Sequence, residues 1–179
     1  MQWNLDKGHK TAEMVAAIAV VLSLIFVGLE IQQNNEIQKQ MATRSLARDW
    51  SNAVASYQDP EISCLWLRLM TDRNNLTGRE ANQIETALWR IYKVYEEFHY
   101  QSEQGMIDES VWGGFQRTNL IAVSNEGFRA WYKIYGKTFS TRFQRYMDEL
   151  IATTPVNPKP YFAEITCDTP VGSEYWETY

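Results

Sequence analysis

Cysteine is scarce in this sequence, and its scarcity limits how the fold is held together. Among 179 residues, only Cys64 and Cys167 are cysteines. Two thiols cannot form the set of bridges that supports a small disulfide scaffold, so packing of a core has to stabilise the fold. One bridge between them is compatible with an oxidising compartment. We favour two unlinked thiols, one of them buried, because free cysteine behaves as a small apolar side chain.

Proline is almost absent before the C-terminal segment. Pro60 is the one exception, and the remaining four prolines lie within residues 153–179. Long helices are therefore permitted before residue 153 and excluded after it. The segment 153–179 is nevertheless rich in apolar side chains, so we predict an extended tail that lies on its own domain or on a partner. Its possible partner contacts are Tyr161, Phe162, Tyr175 and Trp176.

The chain also lacks a basic face. It has 17 Lys and Arg against 22 Asp and Glu, which gives a net charge of −5. Part of the acidic excess lies in the tail, at Glu164, Asp168, Glu174 and Glu177. Because proteins bind nucleic acids through clustered lysine and arginine, this charge pattern argues against a nucleic-acid partner.

Motifs that carry catalytic chemistry are few and incomplete. Glu96 and His99 form one Glu-x-x-His motif, whereas carboxylate-bridged di-iron bundles use two such motifs and two further glutamates. His9 is the only other histidine, and no Gly-x-Ser-x-Gly elbow occurs. A Cys64–His99 pair is conceivable, but Cys64 lies in an apolar run. We therefore predict a protein that is not an enzyme and has no metal or cofactor, in which His99 has a structural role.

One long apolar segment lies near the N-terminus. Residues 14–29 carry no charge and would form about 24 Å of helix, and residues 11–31 would form about 31 Å. The hydrocarbon core of a bilayer is about 30 Å thick. A signal peptide fits less well, because no Ala-x-Ala cleavage site follows. We predict an N-terminal flank at 1–10 and a transmembrane helix at 11–31, in contact with lipid of a bacterial inner membrane.

The basic residues on either side of this segment differ slightly in number. Lys7 and Lys10 precede it, and Lys39, Arg44 and Arg48 follow it. Cytoplasmic flanks carry the excess of lysine and arginine. This weak asymmetry favours a cytoplasmic C-terminal domain.

Small residues recur at helical spacing within the span. Ala12, Ala16, Ala19 and Ser23 are separated by four, three and four positions and would lie along one face. Such stripes let helices approach closely in lipid. They predict a helix–helix contact with a second copy of the chain or with another membrane subunit, although alanine is also simply common in such helices.

The rest of the chain has helical patterns without a competing strand pattern. A polar neck at 32–41 opens a helical domain at 32–152, and helix starts are expected near Asp59-Pro60, at a Thr77–Glu80 capping box, and at Asp108, Ser124 and Ser140. Helix ends are expected at Gly105 and Gly136, and the Gly113-Gly114 pair is expected to permit close packing or a kink. The predicted fold is all-α: one transmembrane helix continues into a bundle of about five helices, followed by the extended tail at 153–179.

Four stretches resemble a broad family of bacterial membrane proteins with one N-terminal membrane helix and a small helical domain. They are AIAVVLSLIFVGLEIQQN at 17–34, the DPE…LW segment at 59–66, YEEFHYQSEQGMIDESVWGGF at 95–115 and NEGFRAWYKIYGKTFSTRFQRYMDEL at 125–150. The resemblance covers about residues 12–151 and stops before the tail. It implies this architecture and no particular activity.

Two functions fit these patterns. The first is a non-catalytic accessory or scaffold subunit of a membrane complex or homo-oligomer. The second is a ligand-responsive or channel-forming homo-oligomer. Aromatic residues at helical spacing bear on this choice, since they would line a ligand pocket or, as we favour, fill a core. They are Trp89, Tyr92, Tyr95, Tyr100, Trp112, Trp131 and Tyr132.

Overall fold

The fold consists of α-helices. A computed structural model describes the backbone of residues 2–71, 73–157 and 167, and the side chains within those ranges from residue 12 onward. No described residue lies in a strand. The all-α prediction, with five helices after the N-terminal one, is confirmed. The helices are α1 (Gln2–Val54), α2 (Pro60–Thr71), α3 (Gly78–Glu103), α4 (Glu109–Val123), α5 (Glu126–Tyr135) and α6 (Thr141–Thr153), with 3-10 turns at Ala55–Gln58, Arg73–Asn75 and Gly136–Thr138.

Helix α1 passes without a break through the predicted flank, span and neck. The chain divides into two compact units, residues 1–41 and 42–179. Among the described residues, one helical stretch is long and apolar enough to cross a membrane: Ala12–Gln58, which comprises most of α1 and the 3-10 turn that follows it. Every large apolar side chain from residue 14 to residue 31 is exposed, by 45% at Val27 to 66% at Leu24. A helix that is apolar all round and leaves these side chains exposed is typical of a lipid-facing segment.

Four of the predicted helix starts have the expected caps. The Asp59 carboxylate accepts from the Glu61 amide, and the Asp108 carboxylate accepts from the Ser110 amide, both at 2.8 Å. Thr77 and Glu80 cap each other reciprocally, as the capping box predicts. The Ser140 hydroxyl accepts from the amide of residue 143. Each side chain satisfies an amide that the first turn of its helix leaves without a partner.

The predicted cap at Ser124 is wrong by one residue. Helix α5 is capped by Asn125, whose side-chain oxygen accepts from the Gly127 amide at 2.9 Å. The Ser124 hydroxyl donates instead to the Ile121 carbonyl at the end of α4. Both residue types are good caps, and the short turn between α4 and α5 leaves Ser124 to close the earlier helix.

The core of the second unit forms around α3. Ile84, Leu88, Ile91, Tyr95 and Phe98 recur on this helix at spacings of three and four, a pattern that predicts one buried stripe. All five are buried, and Ile84 and Leu88 are fully enclosed. Phe128 and Trp131 of α5, with Phe143 and Met147 of α6, pack into the same core. A buried polar contact lies among them: the Tyr92 hydroxyl donates to the Asn119 side-chain oxygen at 2.7 Å. That bond satisfies a polar group which would otherwise be costly to bury.

The C-terminal tail is attached to the helical unit where the structure describes it. The Asn157 amide donates to the Ser124 carbonyl at 2.9 Å, and the Arg129 side chain donates to the Thr154 carbonyl. Cys167 forms a disulfide with Cys64 of α2, with a Cα–Cα distance of 5.2 Å. The preference for two unlinked thiols is therefore wrong. The two cysteines are 103 positions apart, and no local pattern indicates that the fold brings them together.

Candidate functional site

An apolar cleft of about 500 Å³ opens in the helical unit. One wall comes from the end of α1 and the following turn, a second from α2, and a third from α4, while α3 forms the floor. Its volume lies within the range of about 300–1,000 Å³ that is usual for small-molecule sites. The described lining residues are Trp50, Val54, Tyr57, Ser63, Trp66, Met70, Leu88, Ile91, Tyr92, Tyr95, Thr118, Ile121, Ala122 and Asn125.

Helical spacing places the lining residues of each wall. On α2, Ser63, Trp66 and Met70 recur at three and four positions and so share one face. The floor residues of α3 share a face in the same way, and they include Leu88 and Tyr92. The same regularity that builds the core therefore also builds the cleft.

Aromatic rings hold the walls in place. The Trp50 ring meets the Tyr95 ring edge to face at 5.3 Å, and the Tyr57 ring meets the Trp66 ring at 5.2 Å. Edge-to-face contacts of this kind add to the stabilisation from burial. Tyr95 is fixed further, because its hydroxyl donates to the Phe115 carbonyl at 3.1 Å. The cleft is therefore bounded by side chains with few alternative rotamers.

The floor of the cleft is buried and its rim is exposed. Leu88 is fully buried, and Tyr92 and Tyr95 are each 2% exposed. At the rim, Ser63 and Thr118 are exposed and carry hydroxyl groups. A guest would therefore meet apolar surface in depth and hydrogen-bonding groups near the opening.

No described lining residue carries a charge at neutral pH. Burial raises the pKa of Tyr57, Tyr92 and Tyr95 well above the usual value for a phenol, so these groups stay neutral. The described lining contains no carboxylate, imidazole or amine that could move a proton. What it offers to a guest is shape, apolar contact, aromatic surface and a few uncharged hydrogen-bonding groups.

His99 lies one helical turn beyond Tyr95, in a separate cluster near the C-terminal end of α3. Its ring is 7% exposed and packs against the Tyr146 ring at 4.6 Å. Its Nδ1 has no hydrogen-bond partner and lies 3.6 Å from a Glu103 carboxylate oxygen. Glu96 acts elsewhere, accepting from Lys93 and from the Ser140 amide. Since Cys64 is in a disulfide, it is no partner for His99 either.

We expect His99 to make the helical unit less stable as the pH falls. Burial lowers the pKa of His99 below its ordinary 6.5, the nearby Arg142 lowers it further, and Glu103 partly opposes this. The unfolded chain therefore takes up a proton near pH 6.5 that the folded chain resists, so stability is lost as the pH falls through that value.

The measurement is the urea midpoint of unfolding of the full chain, monitored by tryptophan fluorescence at about pH 7 and at about pH 5.5. Both pH values lie above the usual range in which carboxylates titrate. In His99→Gln the difference between the two midpoints should be smaller than in the unchanged protein. An unchanged difference would mean that other groups cause the acid sensitivity.

The structure describes only some of the contact residues that the sequence predicts. Ala12, Ala16, Ala19 and Ser23 all lie on α1 and are exposed, and the helix–helix contact they predict stays a prediction. Tyr161, Phe162, Tyr175 and Trp176 lie outside the described residues.

Sequence reasoning missed most of the cleft. Trp50, Tyr57 and Trp66 recur with other apolar residues at helical spacing, which predicts ordinary packing faces, and the same pattern predicts Tyr92 and Tyr95 in the core. The two tyrosines do belong to the core, and they also form the cleft floor. No local signal distinguishes a helix face that packs from one that borders a cavity. Only the arrangement of four separate chain segments does so.

The residues that the structure describes contain no group of three or more histidine, cysteine, aspartate or glutamate side chains placed to hold a metal ion. Comparison with known proteins matched no family model, no curated protein and no solved structure. The resemblance to bacterial membrane proteins with one N-terminal helix stays a prediction.

Proposed function

We propose that this protein is a membrane-anchored binding protein whose helical unit takes up a small apolar molecule. The cleft of about 500 Å³ carries this proposal. It combines a preformed apolar interior with a few polar groups at the rim, which is the usual composition of a small-molecule site. The proposal corresponds to the ligand-responsive alternative that the sequence left open.

Filling the cleft tests the proposal directly. Ala122 lies on the α4 wall, and Ala122→Phe would place a ring in the space that a guest needs. We expect the full chain in mild detergent to bind the neutral fluorophore 1-N-phenylnaphthylamine, and Ala122→Phe to weaken this binding at least about tenfold. The readout is fluorophore emission on titration.

A matched variant separates cleft binding from partition into the detergent. Ala152→Phe makes the same change on an exposed face of α6 and should bind like the unchanged protein. Ser63→Phe, on the α2 rim, should weaken binding like Ala122→Phe and guards against a local folding defect in either variant. Equal binding by all four proteins would reject the site.

The apolar part of α1 supports the proposed membrane location. Ten Val, Leu, Ile or Phe side chains between residues 14 and 29 would favour insertion by roughly 3–6 kcal/mol. All of them are exposed, so lipid is the partner that their chemistry fits. We propose a single-pass protein of a bacterial inner membrane.

The disulfide gives an argument about orientation. Cytosolic thiol pools keep cysteines reduced, whereas bridges persist in the periplasm and outside the cell. The Cys64–Cys167 bond therefore supports a helical unit on the periplasmic side of the membrane. This proposal opposes the cytoplasmic side favoured by the small difference in flanking charge, and we give the bond more weight.

Thiol labelling in intact cells tests the orientation. After acid quenching, the protein is treated with a maleimide–polyethylene glycol reagent, which adds one increment of mass for each free thiol. We expect no shift on a gel before reduction and a shift of two increments after reduction. A shift of two increments before reduction would place the helical unit in a reducing compartment. The accessory or scaffold role expected from the sequence stays a prediction beside these proposals, as does the small-residue stripe on which it rests.

A further inference from the structure

The chemistry of the cleft lining restricts the molecules that can occupy it. We infer that the guest is a neutral, rigid aromatic molecule with a hydroxyl group at one end. The inference deepens the proposed function and rests on it, since it names the class of ligand for the same cleft. Three observations carry it: the absence of charge in the described lining, the aromatic walls, and the exposed hydroxyls at the rim.

The described lining excludes an ionised guest. Its polar members are the hydroxyls of the tyrosines, Ser63 and Thr118, the indole N–H groups of Trp50 and Trp66, and the amide of Asn125. An ion that entered would lose its hydration and find no opposite charge in return. The Asn125 side-chain oxygen accepts from the Gly127 amide, and the neutral side-chain amide offers an ion no opposite charge.

The walls favour rings over flexible chains. Five of the lining residues are aromatic: Trp50, Tyr57, Trp66, Tyr92 and Tyr95. Ring edges and faces attract the rings of a guest in addition to the effect of buried area. A flexible acyl chain would gain the area alone and would lose its internal rotations on binding.

The rim fixes one end of the guest. The Thr118 hydroxyl donates to the Gly114 carbonyl at 3.3 Å, which leaves the Thr118 oxygen as an acceptor at the opening. A guest hydroxyl can donate to that oxygen while its ring lies in depth. Deeper in the lining, the Tyr92 and Tyr95 hydroxyls already donate to Asn119 and Phe115, whereas the buried Tyr57 hydroxyl has no hydrogen-bond partner and can also pair with a guest hydroxyl.

Competition against bound 1-N-phenylnaphthylamine tests the ligand class. The three competitors are 2-naphthol, its anionic relative 2-naphthoate, and decanol, which has a hydroxyl and as many carbons as naphthol. We expect 2-naphthol to displace the fluorophore at concentrations about tenfold lower than either of the others. If naphthoate displaces the fluorophore as well as naphthol or better, the exclusion of charged guests is wrong. If decanol does so, the preference for rings is wrong.

The position of the hydroxyl has its own test. Thr118→Val keeps the shape of the side chain and removes the acceptor. It should therefore weaken the binding of 2-naphthol about threefold to tenfold and leave the binding of naphthalene unchanged. An equal effect on both would contradict a hydroxyl at the rim.

The outcomes also separate the ligand class from the site. If Ala122→Phe blocks the fluorophore but 2-naphthol has no advantage over the other competitors, the ligand class is wrong and the binding site stands. If the fluorophore binds equally to Ala122→Phe and Ala152→Phe, the proposed function itself fails.

Discussion

Gly127→Ala is expected to destabilise the helical unit by roughly 3–5 kcal/mol, at the upper end of single substitutions. The first turn of α5 lies against the end of α2 so closely that a Cβ at residue 127 would stand 2.0 Å from the Leu69 carbonyl oxygen. Leu69 is fully buried, so its backbone cannot move aside without disturbing the core. The two helices would have to separate.

A second glycine gives the control. A Cβ at Gly113 on α4 would meet nothing closer than the flexible Arg117 side chain, at 3.7 Å. Gly113→Ala should therefore be neutral or stabilising by about 0.5–1 kcal/mol, because alanine is the better helix former. Urea unfolding of the full-length variants measures both effects. A stable Gly127→Ala protein would contradict the close contact between α5 and α2.

Replacing both cysteines by serine is expected to lower the free energy of unfolding by about 2–4 kcal/mol. The Cys64–Cys167 bond closes a loop of 103 positions, and a long loop loses much conformational freedom in the unfolded chain when it is closed. Removal of the bond restores that freedom to the unfolded state.

The serine variant should match the reduced form of the unchanged protein in its urea midpoint. Agreement between them would show that the stabilisation comes from the bond and not from the serine side chains. If the oxidised protein, the reduced protein and the double variant unfold at the same urea concentration, the bond contributes nothing to stability.

Local patterns predicted the helices well because each start and stripe is set by neighbouring residues. The capping box at Thr77 and Glu80 and the stripe from Ile84 to Phe98 need no information from elsewhere in the chain. Glycine shows the limit of this reasoning. The sequence pointed to Gly113 and Gly114 for close packing, but the close approach occurs at Gly127, and only the placement of α2 against α5 reveals it.

The candidate site and the disulfide depend on contacts between distant segments. Trp50 and Ala122 face one cleft although they are far apart in the chain, and nothing in either local pattern indicates the other. The same holds for Cys64 and Cys167. Residues that form a core and residues that border a cavity are both apolar and equally spaced, so composition does not separate them.

The most direct test of the central claim is to locate a bound guest by photolabelling. A neutral aryl diazirine would be irradiated with the full chain in mild detergent, with and without excess 2-naphthol, and the modified peptides identified by mass spectrometry. The exposed residues 14–31 should be labelled equally in both samples, through the detergent. Within residues 42–157, we predict labels at Trp66, Met70 and Ile121 that 2-naphthol removes. Labels confined to residues 14–31, or labels elsewhere that 2-naphthol does not displace, would contradict a ligand-binding cleft.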